Sequence, residues 1–258
     1  MGQGQDDDTR YLWIDGDRSA QHLLFAIGQG GTGASVWLEV QSPRGAEVAL
    51  VAVRLPGREN RLSEPLLHTV EDNARDVAAT ITDLARGRAV SFVGVCFGAV
   101  VAYECSRQLH YRGVHPERLI VVDARFGPSD DLTAEAETLS DDEFSQYARD
   151  IGVWPDWVWE DPEFVAMLAR QLRADIAAHT TYQWPASDAP VAGHLAVMTG
   201  SRVSAAEAKA WSPAGEHLTI AEGTADLGAQ LLRSPAEFGA KLAALFTANV
   251  TANVTAPR

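Results

Sequence analysis

A mostly parallel, doubly wound α/β sheet with a helical insertion is the fold class this sequence predicts, and three observations predict it. Short apolar, β-branched runs alternate with segments of helical periodicity along most of the chain. One of these runs, Val90 to Val95, passes through Gly94-Val95-Cys96-Phe97-Gly98 directly into a small-residue helical pattern that reaches Glu104. That is the form of a strand-to-helix elbow with a reactive side chain at its apex, the two glycines relieving crowding at the turn. Finally, residues 131–185 change character, with acidic capping patterns, helical spacing and four tryptophans: Trp154, Trp157, Trp159 and Trp184. This stretch reads as a helical lid covering the elbow.

In chain order, residues 1–10 are polar and acidic and predict a disordered leader, with a single folded domain over 11–247. His22 to Ile27 predicts a buried strand running into Gly28-Gln29-Gly30-Gly31-Thr32-Gly33. That glycine-rich turn lacks both the Gly-Lys-Ser/Thr ending of a phosphate loop and the full dinucleotide spacing. It is better used as a loop whose backbone N–H points toward the elbow. Glu47 to Leu55 predicts the next strand, and Thr69 to Arg86 a helix with acids early and arginine late, as the helix dipole favours. Arg118 to Val122 and His194 to Met198 predict further strands, ending at Asp123 and at Thr199-Gly200-Ser201-Arg202. A last helix is expected from Pro235 to Phe246, and residues 248–258 read as a flexible tail.

Composition narrows the function. A net charge of −14 argues against nucleic acid or an anionic membrane as partner. No apolar run approaches the roughly 20 residues of a membrane span. Met1 to Arg10 does not resemble a signal peptide, so a cytoplasmic location with reduced thiols is expected. Cys96 and Cys105 have no metal or redox spacing. On one regular helix they would lie roughly 13 Å apart, too far for a disulfide.

A thiol nucleophile needs a base to take its proton and a third group to orient that base. Asp123, at the carboxyl end of the strand after the elbow helix, is a candidate for the orienting acid, or else a turn or cap residue. The later strand end carries Ser201 and Arg202, neither of which can orient an imidazolium. Of seven histidines, His217 is expected on a short loop after the last predicted strand, where the base of such a site belongs. His179 lies in the insertion, where it could touch substrate.

Two motifs now carry a resemblance. Leu55-Pro56-Gly57-Arg58-Glu59-Asn60-Arg61-Leu62-Ser63-Glu64-Pro65 resembles the signature of stand-alone editing thioesterases from polyketide and nonribosomal peptide assembly lines. Leu139-Ser140-Asp141-Asp142-Glu143 and Leu172-Arg173-Ala174-Asp175 resemble their lid. The likeness covers nearly the whole chain and implies an α/β-hydrolase fold. It also implies an acyl or peptidyl carrier protein as partner, whose phosphopantetheine arm presents the substrate, with no metal and no other cofactor. Arg54, Arg58 and Arg61 are then possible carrier contacts, or ordinary solvated residues.

The site departs from that group. The loop reads Ile27-Gly28-Gln29, cysteine replaces the elbow serine, and the late aspartate is missing. Gly215-Glu216-His217-Leu218-Thr219 instead resembles the histidine segment of chain-terminating thioesterase domains. Cys96, Asp123 and His217 match, in order and type, the cysteine triad of Dieckmann cyclases that release tetramate-like products. The resemblance implies those three as catalytic residues, N–H groups of Gln29 and Phe97 as oxyanion donors, and Trp154, Trp157 and His179 as substrate contacts. The expected function is chain release by ring closure. Hydrolytic editing of stalled acyl groups is the first alternative, and an inactive binding protein the second.

Overall fold

The computed structural model describes residues 9–127, 136, 138–185 and 190–248. Most of the expected leader, the first residues of the expected lid and nearly all of the tail lie outside the described residues.

Seven strands form one sheet: β1 (Tyr11–Asp15), β2 (His22–Ile27), β3 (Val48–Val53), β4 (Ala89–Val95), β5 (Arg118–Val122), β6 (Ala192–Met198) and β7 (Gly215–Ala221). Their spatial order is β1-β3-β2-β4-β5-β6-β7. β1 runs antiparallel to β3, and every other neighbouring pair is parallel. The helices are α1 (Val70–Ala85), α2 (Phe97–Tyr111), α3 (Asp141–Asp150), α4 (Pro162–Thr181), α5 (Ala205–Ala208), α6 (Leu227–Arg233) and α7 (Pro235–Thr247).

The central strands are continuous apolar runs because both faces of the sheet are covered. Leu23, Phe25, Val51 and Phe92 join a core with α1 and α2, whereas Leu24, Leu50, Val93 and Ile120 join a second core with Trp37 and α7. α1 obeys its sequence signals: Thr69 caps it by accepting from the Asp72 N–H, and Arg86 ends it in the left-handed conformation. α2 is buried for most of its length, so its Ala-Val-Val-Ala pattern is core on every side.

α3 and α4 form the lid around a third core of Phe144, Trp154, Val158 and Leu172. Ser140 and Glu143 make a complete capping box on α3, and Asp161 caps α4 ahead of Pro162. No helix among the described residues is long and apolar enough to cross a membrane.

Sequence reasoning missed two strands. β1 is an antiparallel edge strand with a mixed burial pattern. β7 is the opposite edge strand, and only its first residue is fully buried, so Glu216-His217-Leu218 lacks the apolar run of a central strand.

Candidate active site

The site is built at the carboxyl ends of β2, β4, β5 and β6, closed from above by α4. Cys96 joins β4 to α2 with φ 50° and ψ −117°, a strained conformation for any residue with a Cβ. Its N–H donates to the Val122 carbonyl at 2.9 Å, which holds the apex against the neighbouring strand end. The flanking glycines are sterically obligatory. A Cβ on Gly94 would lie 2.3 Å from the Gly98 carbonyl oxygen, and one on Gly98 would lie 2.4 Å from the Gly28 carbonyl oxygen. The elbow expected from the sequence is therefore present, with Cys96 half-buried at its apex.

Burial pushes the Cys96 thiol pKa up. Arg202 and the Phe97 backbone N–H oppose that rise, while Asp123 and Asp226 add to it. Phe97 begins α2, so its N–H is one of the free donors at a helix start, adjacent to the sulfur whose thiolate it favours.

Asp123 follows β5 in the left-handed region at φ 48°, and its N–H donates to the Met198 carbonyl at 2.9 Å. Only 4% of it is exposed, and neither carboxylate oxygen has a hydrogen-bond partner among the described residues. Burial raises its pKa, and the backbone N–H groups of Arg202 and Gly200 oppose the rise. Both amides lie near the carboxylate, but neither forms a hydrogen bond to it. Cys96, Asp123, His179 and Arg202 line one small cavity of about 40 Å³. A second, of about 60 Å³, is walled by Gln29, Cys96, Phe97, Tyr147, Leu172 and Ile176, with His179 and Arg202 also facing it.

The loop after β2 is fixed by the lid. Asp175 of α4 accepts the Gly31 N–H at 2.7 Å and binds the Arg58 guanidinium through both carboxylate oxygens, one at 2.9 Å. Arg58 also donates to the Thr32 carbonyl at 3.0 Å, and the Trp154 indole N–H to the Gly31 carbonyl at 2.8 Å. The Gln29 carboxamide donates to Val153 at 3.3 Å. Gln29 and Phe97 thus come together with Cys96 in one cavity wall.

Other expectations need correction. His217 is not on a loop after the last strand: it lies within β7, exposed, in register with His194 of β6. That level of the sheet also holds Arg118 and Ser91, whereas Val95, Val122, Met198 and Ala221 form the level below Cys96. Four residues of strand separate the two levels, roughly 13 Å at about 3.3 Å per residue, with three strand spacings in between. His217 therefore cannot reach Cys96. The loop that does follow β7 reads Glu222-Gly223-Thr224-Ala225-Asp226 and has no histidine.

Trp157 is 61% exposed and stacks on Phe164, away from the cavity. Trp154 is buried against the loop as a brace rather than lining the cavity. Arg58 and Arg61 are only 3% and 2% exposed, which removes them as docking contacts. Arg61 is paired with Asp76 and Glu64.

His179 does face Cys96, from α4. Tyr147 and Arg202 were missed as wall residues. The Tyr147 hydroxyl is buried without a hydrogen-bond partner, and Arg202 reaches Asp226 at 3.3 Å. The spacing of Leu172, Asp175, Ile176 and His179 at i, i+3, i+4 and i+7 was the available signal for the lid face. Among the described residues, no group of three or more His, Cys, Asp or Glu side chains could hold a metal ion.

A mostly parallel α/β sheet with a strand–cysteine–helix elbow, a glycine-rich loop after the first parallel strand and helices laid over the elbow defines an α/β-hydrolase. The thioesterase domain family matches residues 23–226, and the chain belongs to it. It is 31% identical over 176 residues to the thioesterase PikA5 of Streptomyces venezuelae, a match spanning 66% of this chain and 62% of that protein. It is 29% identical over 167 residues to the gramicidin S biosynthesis protein GrsT of Aneurinibacillus migulanus, spanning 64% and 65%. The chain thus aligns with slightly less than two thirds of the length of these relatives. Among solved structures, the RedJ thioesterase of the prodiginine pathway in Streptomyces coelicolor superposes with a TM-score of 0.78 at 26% identity, over 89% of this chain and 91% of that one.

Proposed function

We propose that this protein takes an acyl chain from a carrier-protein phosphopantetheine thioester onto Cys96 and releases it by intramolecular ring closure of the Dieckmann type. The observation that carries the reading is a cysteine at a strained elbow, opening into a lidded cavity lined by Phe97, Ile151, Val153, Leu172 and Ile176. Apolar walls that exclude water suit a step in which water would divert the chain to free acid.

In the first step Cys96 gives its proton to a base facing the cavity, and the sulfur attacks the thioester carbonyl. The oxyanion is held by the Phe97 N–H and an N–H of the loop at Gln29. The carbon–sulfur bond to pantetheine breaks, and the pantetheine sulfur leaves with a proton. The chain stays a thioester on Cys96, so its carbonyl remains a better electrophile than a serine ester and its α-protons remain acidic. The base then takes an acidic proton from a methylene or amide of the chain, and the resulting carbanion or nitrogen attacks that carbonyl. The ring closes as the carbon–sulfur bond to Cys96 breaks, and the base returns the proton to the Cys96 sulfur.

Hydrolytic editing is the second reading, supported by the stand-alone thioesterase motifs and by similarity to proteins named as thioesterases. A β-ketoacyl-aminoacyl thioester distinguishes the two. Ring closure predicts a cyclic dione by mass spectrometry and a transient acyl adduct on Cys96, both absent in Cys96→Ala. Free acid as the only product would sink the cyclisation reading and leave editing.

A further inference from the structure

We infer that the base for Cys96 is His179, supplied by the lid helix rather than by the loop after the last strand; this rests on the proposed role of Cys96 as the acyl acceptor. Three observations converge on it. The conventional position is vacant of histidine, because the loop after β7 reads Glu-Gly-Thr-Ala-Asp. Among the described residues, His179 is the histidine that lines the two cavities at Cys96. Of the other six, four are engaged elsewhere: His22 with Ser91, His194 with Thr219 and Arg118, and His110 with His115. His68 lines a different cavity and His217 lies on the far level of β7.

The third observation is Asp123. A carboxylate 4% exposed, with both oxygens unpartnered, lines the same cavity as His179 and Cys96. A buried acceptor without a donor keeps its desolvation penalty uncompensated, so such a group points to a donor that arrives during function. An imidazolium formed on His179 is that donor.

The helix geometry supports the aim of the ring. Asp175 ties α4 to the Gly31 N–H and to Arg58, which fixes the rotation of the helix. His179 is one turn on, on the same face, about 6 Å along the axis. Burial alone lowers its pKa, so the ring is neutral and able to accept a proton near neutral pH. The charged and titratable groups facing it are Cys96 from the elbow, Asp123 and Arg125 after β5, Arg202 after β6, Asp175 on its own helix and Tyr147 from α3.

The Cys96 S–H bond breaks and its proton moves to a ring nitrogen of His179, the sulfur forms the new C–S bond, and the old C–S bond to pantetheine breaks. His179 then returns the proton to the departing pantetheine sulfur.

The test measures acylation of Cys96 by an acyl N-acetylcysteamine thioester, using intact-protein mass spectrometry. His179→Ala is expected to slow acylation by about 100- to 10,000-fold, the usual contribution of a positioned base. Added imidazole should restore part of the rate, which a merely structural role would not allow. His217→Ala should acylate like the wild type. Wild-type acylation rates in His179→Ala, or loss of rate in that variant with no response to imidazole, would overturn the inference while leaving Cys96 as the acceptor. A wild type that never acylates Cys96 would instead overturn the proposed function.

Discussion

Replacing Asp175 by alanine is the perturbation whose cost follows most directly from the structure. The side chains of Asp175 and Arg58 are only 1% and 4% exposed, so truncating the acid strands a buried guanidinium. Breaking such a pair from one side costs about 3–5 kcal/mol, because the remaining charge keeps its desolvation penalty without its partner. The Gly31 N–H loses its acceptor at the same time. These effects share one carboxylate and are not independent, so about 4 kcal/mol is a reasonable total. For a domain of this size each kcal/mol moves Tm by about 2–4 °C, giving a drop of about 8–16 °C. Differential scanning calorimetry measures it. The double variant Arg58→Met with Asp175→Leu should recover most of the loss, since apolar replacement of a buried pair is often near neutral. A fall of under about 2 °C in Asp175→Ala would refute the view that this pair fastens the lid to the loop.

Two further outcomes follow from the same physics. Burial raises the Asp123 pKa above its unfolded value, so the folded state binds the proton more tightly and stability falls as pH rises through the folded pKa. Asp123→Asn removes that slope, so its Tm relative to wild type should climb from acidic to neutral pH while acylation is lost; a flat difference contradicts the shift. Trp154→Ala should cost about 3–5 kcal/mol through cavity formation and loss of the brace on Gly31, whereas Trp157→Ala, on the exposed face, should stay within about 0.5 kcal/mol. Equal thermal melts for the two variants would contradict that contrast.

The elbow was legible in the sequence because its signals are local: an apolar strand, glycines at 94 and 98, and small residues after them. The strand end at Asp123 was legible for the same reason. Arg58 was not, since an isolated arginine reads as solvated until Asp175, 117 residues later, comes to meet it. His217 misled because β7 is an edge strand whose early residues face solvent. Without an apolar run there was nothing to distinguish it from a loop, and a histidine followed by a helix resembled a catalytic arrangement. The lid histidine carried a weak signal, its spacing from Leu172, Asp175 and Ile176, which gains meaning only once the helix is laid across Cys96.

The contact between Gly98 and the Gly28 carbonyl divides the labour within this fold. With no side chain between them, the start of α2 and the donor loop meet backbone to backbone, so the sulfur and both proposed oxyanion donors belong to one stiff block. Such a block cannot adapt to chains of different shape. Adaptation falls to α3 and α4, whose apolar faces can be rewritten without disturbing the reacting atoms. Exchanging lids between relatives should therefore change which chains are accepted while the geometry at the sulfur is inherited intact.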